Sequence, residues 1–154
     1  MGNPKTDRRN VAQNRKARHE FEILETFEAG LTLLGSEVKS LRQGKASLDE
    51  AFVGFDEKGH AVLLSAHIPP YAQANRLNHE PTRPRPLLLH KLEVRRLRQK
   101  VKERGLTLIP LQLYFLGPWC KLEFALGRGL KLHDKRHALR AAEDRKETRQ
   151  ALRG

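Results

Sequence analysis

The sequence predicts a mainly β fold with two or three flanking α-helices, and three observations lead there. Short runs alternate apolar and polar residues, as half-buried strands do. Turns rich in Gly and Pro separate those runs. The strongest helical repeat is confined to one segment, Leu87–Arg104. The length of 154 residues favours one domain with extensions, and it leaves room for a real core.

Residues 1–13 are polar and rich in Asn, Lys and Arg, and read as a flexible basic arm. From Phe21 an extended pattern sets in. Phe21, Ile23 and Phe27 share one parity, Glu22 and Thr26 the other, which predicts a strand running into Glu28-Ala29-Gly30. Ser36–Arg42 reads as a short helix, with Ser36 as its cap and Gly44 as its stop. Val38 and Leu41 would face the core, with Glu37 in the first turn and Arg42 in the last.

Residues 48–55 and Ala61–Ala66, joined by Asp56-Glu57-Lys58-Gly59, predict a hairpin that Pro69-Pro70 ends. Residues 71–86 read as a loop bearing Arg76, Arg83 and Arg85, and Pro86 suits the start of a helix. In Leu87–Arg104, Leu87, Val94, Leu97 and Val101 form the apolar stripe and Gly105 the stop. Leu106–Leu116 is apolar and β-prone, and Pro110 requires an edge or a bulge there. After Gly117-Pro118, Cys120, Leu122, Phe124 and Leu126 alternate with Lys121, Glu123 and Ala125, so one face points in and one out. Short strands between Gly/Pro turns favour a closed barrel, because closure removes open sheet edges; an OB-like barrel is the expectation. The body then spans 14–129, and 130–154 form a basic C-terminal tail. That tail has helix-favouring alanines but lacks a continuous apolar stripe.

The formal net charge of +12 is distributed in blocks. Residues 1–18 carry +5, residues 83–104 carry +7 and residues 128–154 carry +5, so the remainder is net acidic. Solubility alone does not require three blocks of one sign. Polyanion binding does, since each cation placed on a phosphate releases a condensed counterion. No run approaches the roughly 18 apolar residues of a membrane span, and no signal peptide is visible at the N-terminus. A single cysteine, Cys120, excludes an intramolecular disulfide and suits a reducing cytoplasm.

Enzyme signatures are missing. The sequence has no Walker loop, no G-x-S-x-G and no G-x-G-x-x-G after a strand. The histidines do not form metal-ligand pairs at helical spacing, so neither metal nor cofactor is expected. Cys120, set among apolar alternates, reads as a small core residue. The sparse aromatics do not form an RRM-type stacking run.

Several segments in order are similar to one known family. They are Asn14-Arg15-Lys16-Ala17-Arg18-His19, Phe27-Glu28-Ala29-Gly30-Leu31 and Gly35-Ser36-Glu37-Val38-Lys39-Ser40-Leu41-Arg42-Gln43-Gly44-Lys45. Then come Pro81-Thr82-Arg83 with Arg85, Leu87-Leu88-Leu89-His90-Lys91, Leu113-Tyr114-Phe115 and His133-Asp134-Lys135-Arg136. Together they resemble the SsrA-binding proteins (small protein B), from about Asn14 to the tail. Singly each motif is weak; in this order they are specific.

The resemblance implies a non-enzymatic protein that binds transfer-messenger RNA (tmRNA) and works in trans-translation, the rescue of stalled ribosomes. It implies an OB-like body on the tRNA-like domain of tmRNA, monomeric when bound. The tail would be disordered alone and helical on the ribosome, in the small-subunit decoding centre and the empty mRNA channel. The implied tmRNA contacts are Asn14, Arg15, Lys16, Arg18, His19, Glu28, Arg42, Lys45, Arg83, Arg85, Leu88 and His90. A carboxylate such as Glu28 can accept from base amines or a 2′-hydroxyl, and His19 can stack on a base. The implied ribosome-facing residues are Arg128, Lys131, His133, Asp134, Lys135 and Arg136. One departure stands out: Leu130 occupies a position that many members fill with Lys, so any role of that Lys lapses or passes to Arg128. The competing reading is a ribosomal protein or general structured-RNA chaperone with the same charge blocks.

Overall fold

The computed structural model describes residues 8–72, 78–103 and 105–130. In chain order the elements are β1 (Arg8–Gln13), α1 (Ala17–Glu20), β2 (Phe21–Leu31), α2 (Gly35–Arg42) and β3 (Phe52–Phe55). They continue with β4 (Ala61–Leu64), β5 (Arg85–Leu88), α3 (Lys91–Val101), β6 (Leu106–Leu116) and β7 (Trp119–Gly129). The strands run β6-β3-β4-β5-β2-β7, and β7 pairs back onto β6, so the sheet closes into a barrel. Every pairing is antiparallel, and β1 joins β6 beside the ring. The expected mainly β, closed OB-like architecture with a few helices is what forms.

Alternation builds the interior. Leu108, Leu113 and Phe115 of β6 lie opposite Leu126, Leu122 and Cys120 of β7, and all six belong to the main core. On the far side of β7, Phe27 of β2 meets Phe124 with ring centroids 5.4 Å apart. The hairpin between β6 and β7 turns at Gly117, whose φ of +56° a side chain would resist.

Two bulges divide the apolar residues between two cores. In β2 the register shifts between Ile23 and Glu25, and in β6 it shifts between Pro110 and Gln112. A bulge flips the facing of all residues beyond it. Phe27, Ala29 and Leu31 therefore point inward, while Phe21 and Ile23 point to the outside of the barrel. There they pack with Ala17, Ile109, Leu111 and Ala125 in a small second cluster under α1. The shared parity of Phe21, Ile23 and Phe27 suggested a single face; the bulge makes it two. Pro110 sits at the other bulge, as its missing N–H required.

Gly127 lies against Ile109 and Phe21 of this outer cluster. A Cβ there would lie 2.6 Å from Ile109 Cδ1 and 3.2 Å from the Glu22 carbonyl. Gly127→Ala is expected to cost about 1–3 kcal/mol through overpacking, read as a lower urea midpoint with an unchanged m-value.

Helix α2 ends as its sequence suggested. Gly44 has φ +73°, its N–H reaches the Leu41 carbonyl at 2.9 Å, and the Lys45 N–H reaches the Ser40 carbonyl at 3.1 Å. That is a Schellman stop. Its start differs from expectation. Leu34 is the N-cap residue, and its N–H donates to the Glu37 carboxylate at 2.8 Å. Ser36 is instead buried, with its hydroxyl 2.8 Å from His79 Nδ1. The other ring nitrogen of His79 donates to the Ile68 carbonyl at 2.8 Å, tying the segment after residue 77 to α2.

Three further expectations are corrected. Arg8–Gln13, read as part of a flexible arm, pairs with β6 from Leu116 to Gln112. Leu87 and Leu88, read as the first helical turn, belong to β5, where Leu87 opposes Leu31 and Leu88 opposes Gly30. Pro86 stands at the end of the short ladder to β4, and the ladder to β2 begins only at Leu87. Helix α3 starts after His90 and its C-cap is Lys102, so Gly105 (φ +84°) shapes the turn into β6 and not the helix end itself.

Candidate nucleic-acid interface

Strands β2, β7, β6 and β1 lie side by side and present one continuous outer face. With Phe27, Ala29, Leu113, Phe115, Leu122 and Phe124 pointing inward, the residues between them must point out. Two rows result. One runs Glu28–Glu123–Gln112–Gln13 across the four strands, and the next runs Gly30–Lys121–Tyr114–Asn10.

Three of the sequence-predicted residues converge at one end of this face. Glu28, Leu88 and His90 line a cavity of about 390 Å³ with Gly30, Glu93 and Lys121. Leu88 is 63% exposed. It stands over Gly30, where a Cβ would meet Leu88 Cδ1 at 3.3 Å, so glycine permits the close approach. Glu28 is exposed yet held, because the Tyr114 hydroxyl donates to its Oε2. Tyr114 is buried under the Arg8 guanidinium, which lies 3.7 Å from the ring centroid. Burial, and then the bond and charge of Glu28, push the phenol well above its ordinary value, so it stays a donor. Arg8 in turn donates to Gln112 at 2.6 Å and to Glu123 at 3.3 Å.

At the other end, Asn14, Arg15 and Arg18 line a cleft of about 170 Å³ with Gln112 and Glu123. Asn14 is partly structural: its N–H donates to the Leu111 carbonyl at 2.8 Å and its side-chain amide to the Pro110 carbonyl at 3.0 Å. This clamps the chain onto the β6 bulge and aims Arg15 and Arg18 outward. Lys16 lines a different cleft, about 320 Å³, against Asp49–Phe52, and His19 is exposed on α1. Arg42 is exposed with its guanidinium 4.0 Å from the Phe115 ring centroid, and Lys45 is exposed just past α2; neither lines the two clefts. Arg128 is exposed at the end of β7, opposite Glu22. Lys131, His133, Asp134, Lys135 and Arg136 lie outside the described residues, as does Arg76.

Arg85 corrects the sequence reading. Its side chain is fully buried, with Nε 2.6 Å from Glu37 Oε2, and the other nitrogens donate to the Ala66 carbonyl at 2.7 Å and the Pro81 carbonyl at 3.0 Å. Such a guanidinium has no face left for a phosphate. Arg83 binds the same carboxylate, Nη2 to Oε1 at 2.6 Å, and keeps 26% of its side chain in solvent. Burial alone would raise the Glu37 pKa, but bonds from Arg83, the Leu34 amide and Arg85 outweigh it and hold the carboxyl below its ordinary 4.5.

Sequence reasoning did not single out Arg8, Gln112, Lys121 or Glu123, and took Tyr114 only as part of a motif. Strand alternation carried the signal, since Gln112, Tyr114, Lys121 and Glu123 all fall between inward apolar residues. Cys120 is buried, and burial pushes its thiol up to about 12 against the opposing charge of Arg42, which fits a core residue. Among the described residues no His/Cys/Asp/Glu cluster could hold a metal, and no helix is long and apolar enough to cross a membrane.

A closed antiparallel barrel with a polar outer face, rimmed by Arg and by an exposed apolar side chain, defines a nucleic-acid-binding class of protein. The SmpB protein family model matches residues 11–154. The chain is 54% identical to an SsrA-binding protein of Desulforudis audaxviator over 144 residues, covering 94% of each chain. It is 50% identical to the SsrA-binding protein of Microcystis aeruginosa over 143 residues, 92% of each. A solved chain described as "tmRNA-SmpB: a journey to the center of the bacterial ribosome" superposes with a TM-score of 0.65 at 47% identity, covering 83% of this chain and 93% of that one. The chain belongs to the SmpB family.

Proposed function

We propose that this protein binds tmRNA and serves as the adaptor of trans-translation on the bacterial ribosome. The observation that carries the reading is about 50% identity to SsrA-binding proteins over more than nine-tenths of each chain. The reading divides the labour between body and tail. The body, through the outer face of β2, β7, β6 and β1, takes the tRNA-like domain of tmRNA. Glu28, Leu88 and His90 meet the RNA at one end, and Arg15 and Arg18 at the other. Lys16 and His19 extend that contact along α1, with Arg42, Lys45 and Arg83 as peripheral cations. Residues 130–154 are the ribosome-facing part, entering the decoding centre and the empty mRNA channel, with Arg128 at the junction. The protein works as a cytoplasmic monomer on the RNA and performs no chemistry itself; the tagged peptide and the freed ribosome are products of the whole complex.

A filter-binding competition tests this. The protein is expected to prefer the tRNA-like domain of tmRNA over tRNA and over rRNA fragments. Equal binding to all three would instead indicate a general structured-RNA chaperone. The affinity is also expected to fall steeply with salt, in proportion to the phosphates contacted. A flat salt dependence would mean that the basic blocks lie away from the RNA.

A further inference from the structure

The basic helix α3 has no role in either surface assigned so far, yet it runs between them. Its N-terminal end borders the Glu28 cavity through His90 and Glu93. Its C-terminal end comes down beside the exit to the tail, because Gly105 stands against the Arg128 side chain and Leu106 pairs with Arg128. Leu97 fixes the rotation of the helix: it is buried and belongs to the main core, with Val94 and Val101 half-buried on the same side. Lys100, on the flank toward β2, is paired with Glu25 at 2.6 Å.

With that side inward, Lys91, Arg95, Arg98 and Lys102 fall in one exposed line, at spacings of four, three and four. At a rise of about 1.5 Å per residue the line is about 16 Å long. It turns away from the four-strand face, since Arg98 leans over Gly59 in the turn between β3 and β4. No acid interrupts it, and among the described residues none of the four cations has a carboxylate within ion-pair distance. A face made only for solvation gains from interleaving the two signs, whereas like charges three and four residues apart weaken a helix. A polyanion laid along the line relieves that repulsion, each cation taking a phosphate and releasing a counterion.

We propose that the exposed line Lys91, Arg95, Arg98 and Lys102 of α3 grips the phosphate backbone of small-subunit ribosomal RNA. This contact belongs to the body and is separate from both the tmRNA surface and the tail. Continuity selects ribosomal RNA, because the line ends beside Arg128, where the ribosome-facing segment leaves the barrel. The proposal rests on the adaptor reading above.

Equilibrium binding of the full-length protein tests it, to purified small subunits and to the tRNA-like domain of tmRNA, each over a range of salt. The variant carries Lys91→Gln, Arg95→Gln and Lys102→Gln together. Glutamine keeps helix propensity and the three side chains are exposed, so the fold should persist, which an unchanged urea midpoint verifies. Each phosphate contact contributes about 0.7–0.9 to the slope of log affinity against log salt. The slope for small subunits should therefore fall by about two units and the affinity by about tenfold or more, with binding to the tRNA-like domain unchanged. Arg95→Lys should bind small subunits as the wild type does, because either cation satisfies a phosphate. Should the triple variant lose stability, Arg95→Gln alone should still remove somewhat under one unit of slope. An equal loss on both RNAs would assign the line to tmRNA, and unchanged affinity for small subunits would leave it a solvated face; either result overturns the proposal. A wild-type protein without preference for the tRNA-like domain over tRNA would instead sink the adaptor reading beneath it.

Discussion

Glu37→Ala is expected to destabilise the barrel by about 3–5 kcal/mol, the cost of leaving a buried charge without its partner. The mechanism lies in Arg85, which is fully buried and whose one anionic partner among the described residues is Glu37. Among the described residues, no buried side-chain nitrogen or oxygen lacks a partner, so the network has no slack. The same substitution frees the Leu34 N–H at the start of α2 and loosens Arg83. Urea unfolding at neutral pH measures the loss. The pH dependence carries a definite sign. The folded state holds the Glu37 carboxyl below its ordinary 4.5, so its contribution is fully present above about pH 4.5 and is lost as pH falls through the folded value. Guanidinium groups do not titrate in proteins in this range. Wild-type stability should therefore hold above about pH 4.5 and drop below it. Glu37→Gln, which keeps the shape without the titrating group, should show a smaller drop. Equal drops would assign acid sensitivity to other carboxylates.

Truncation after Leu132 is expected to abolish tagging of stalled peptides while leaving tmRNA binding nearly intact. The proposed RNA contacts on β2, β5 and around α1 all precede the cut, and residues 133–154 hold seven Lys/Arg against four acids. Those cations belong to the segment assigned to the ribosome, of which the cut leaves only Arg128 and Lys131. A reconstituted translation system with a stalled message reads tagging, and filter binding reads RNA affinity. A parallel loss in both would show that the tail serves tmRNA as well, and the division of labour would fail.

β2 and β7 were legible from their alternation, β6 from a long apolar β-prone run, and the β3–β4 hairpin from the turn at Asp56–Gly59. The Pro110 bulge followed from the N–H that proline lacks. β1 was hidden because Arg8-Arg9-Asn10 reads as solvated chain, and its inward residues, Val11 and Ala12, are few and small. Leu87 and Leu88 were assigned to the helix because a short apolar run fits either period, and only the partner strand β2 decides it. The candidate site divides the same way. Glu28, Leu88 and His90 were found through motif resemblance, and the fold brings them to one cavity. Arg85 was misassigned because composition registers a charge but not its burial. Glu37 looked like a helix-dipole carboxylate, and its two Arg partners lie 46 and 48 residues away, beyond any local pattern.

Closing the ring of six strands leaves it no open ladder, and docking β1 onto β6 creates one again among the described residues. A free row of backbone N–H and C=O groups invites intermolecular pairing and aggregation. Here the row is guarded by its own sequence: Arg8 and Arg9 open the strand, Asn10 follows them, and the register slips between Asn10 and Ala12. Charge and irregularity both discourage a second copy from zipping on. The strand that carries Arg8 to Tyr114 thus also acts as a gatekeeper against self-association, which matters to a small barrel at the moment its RNA is released.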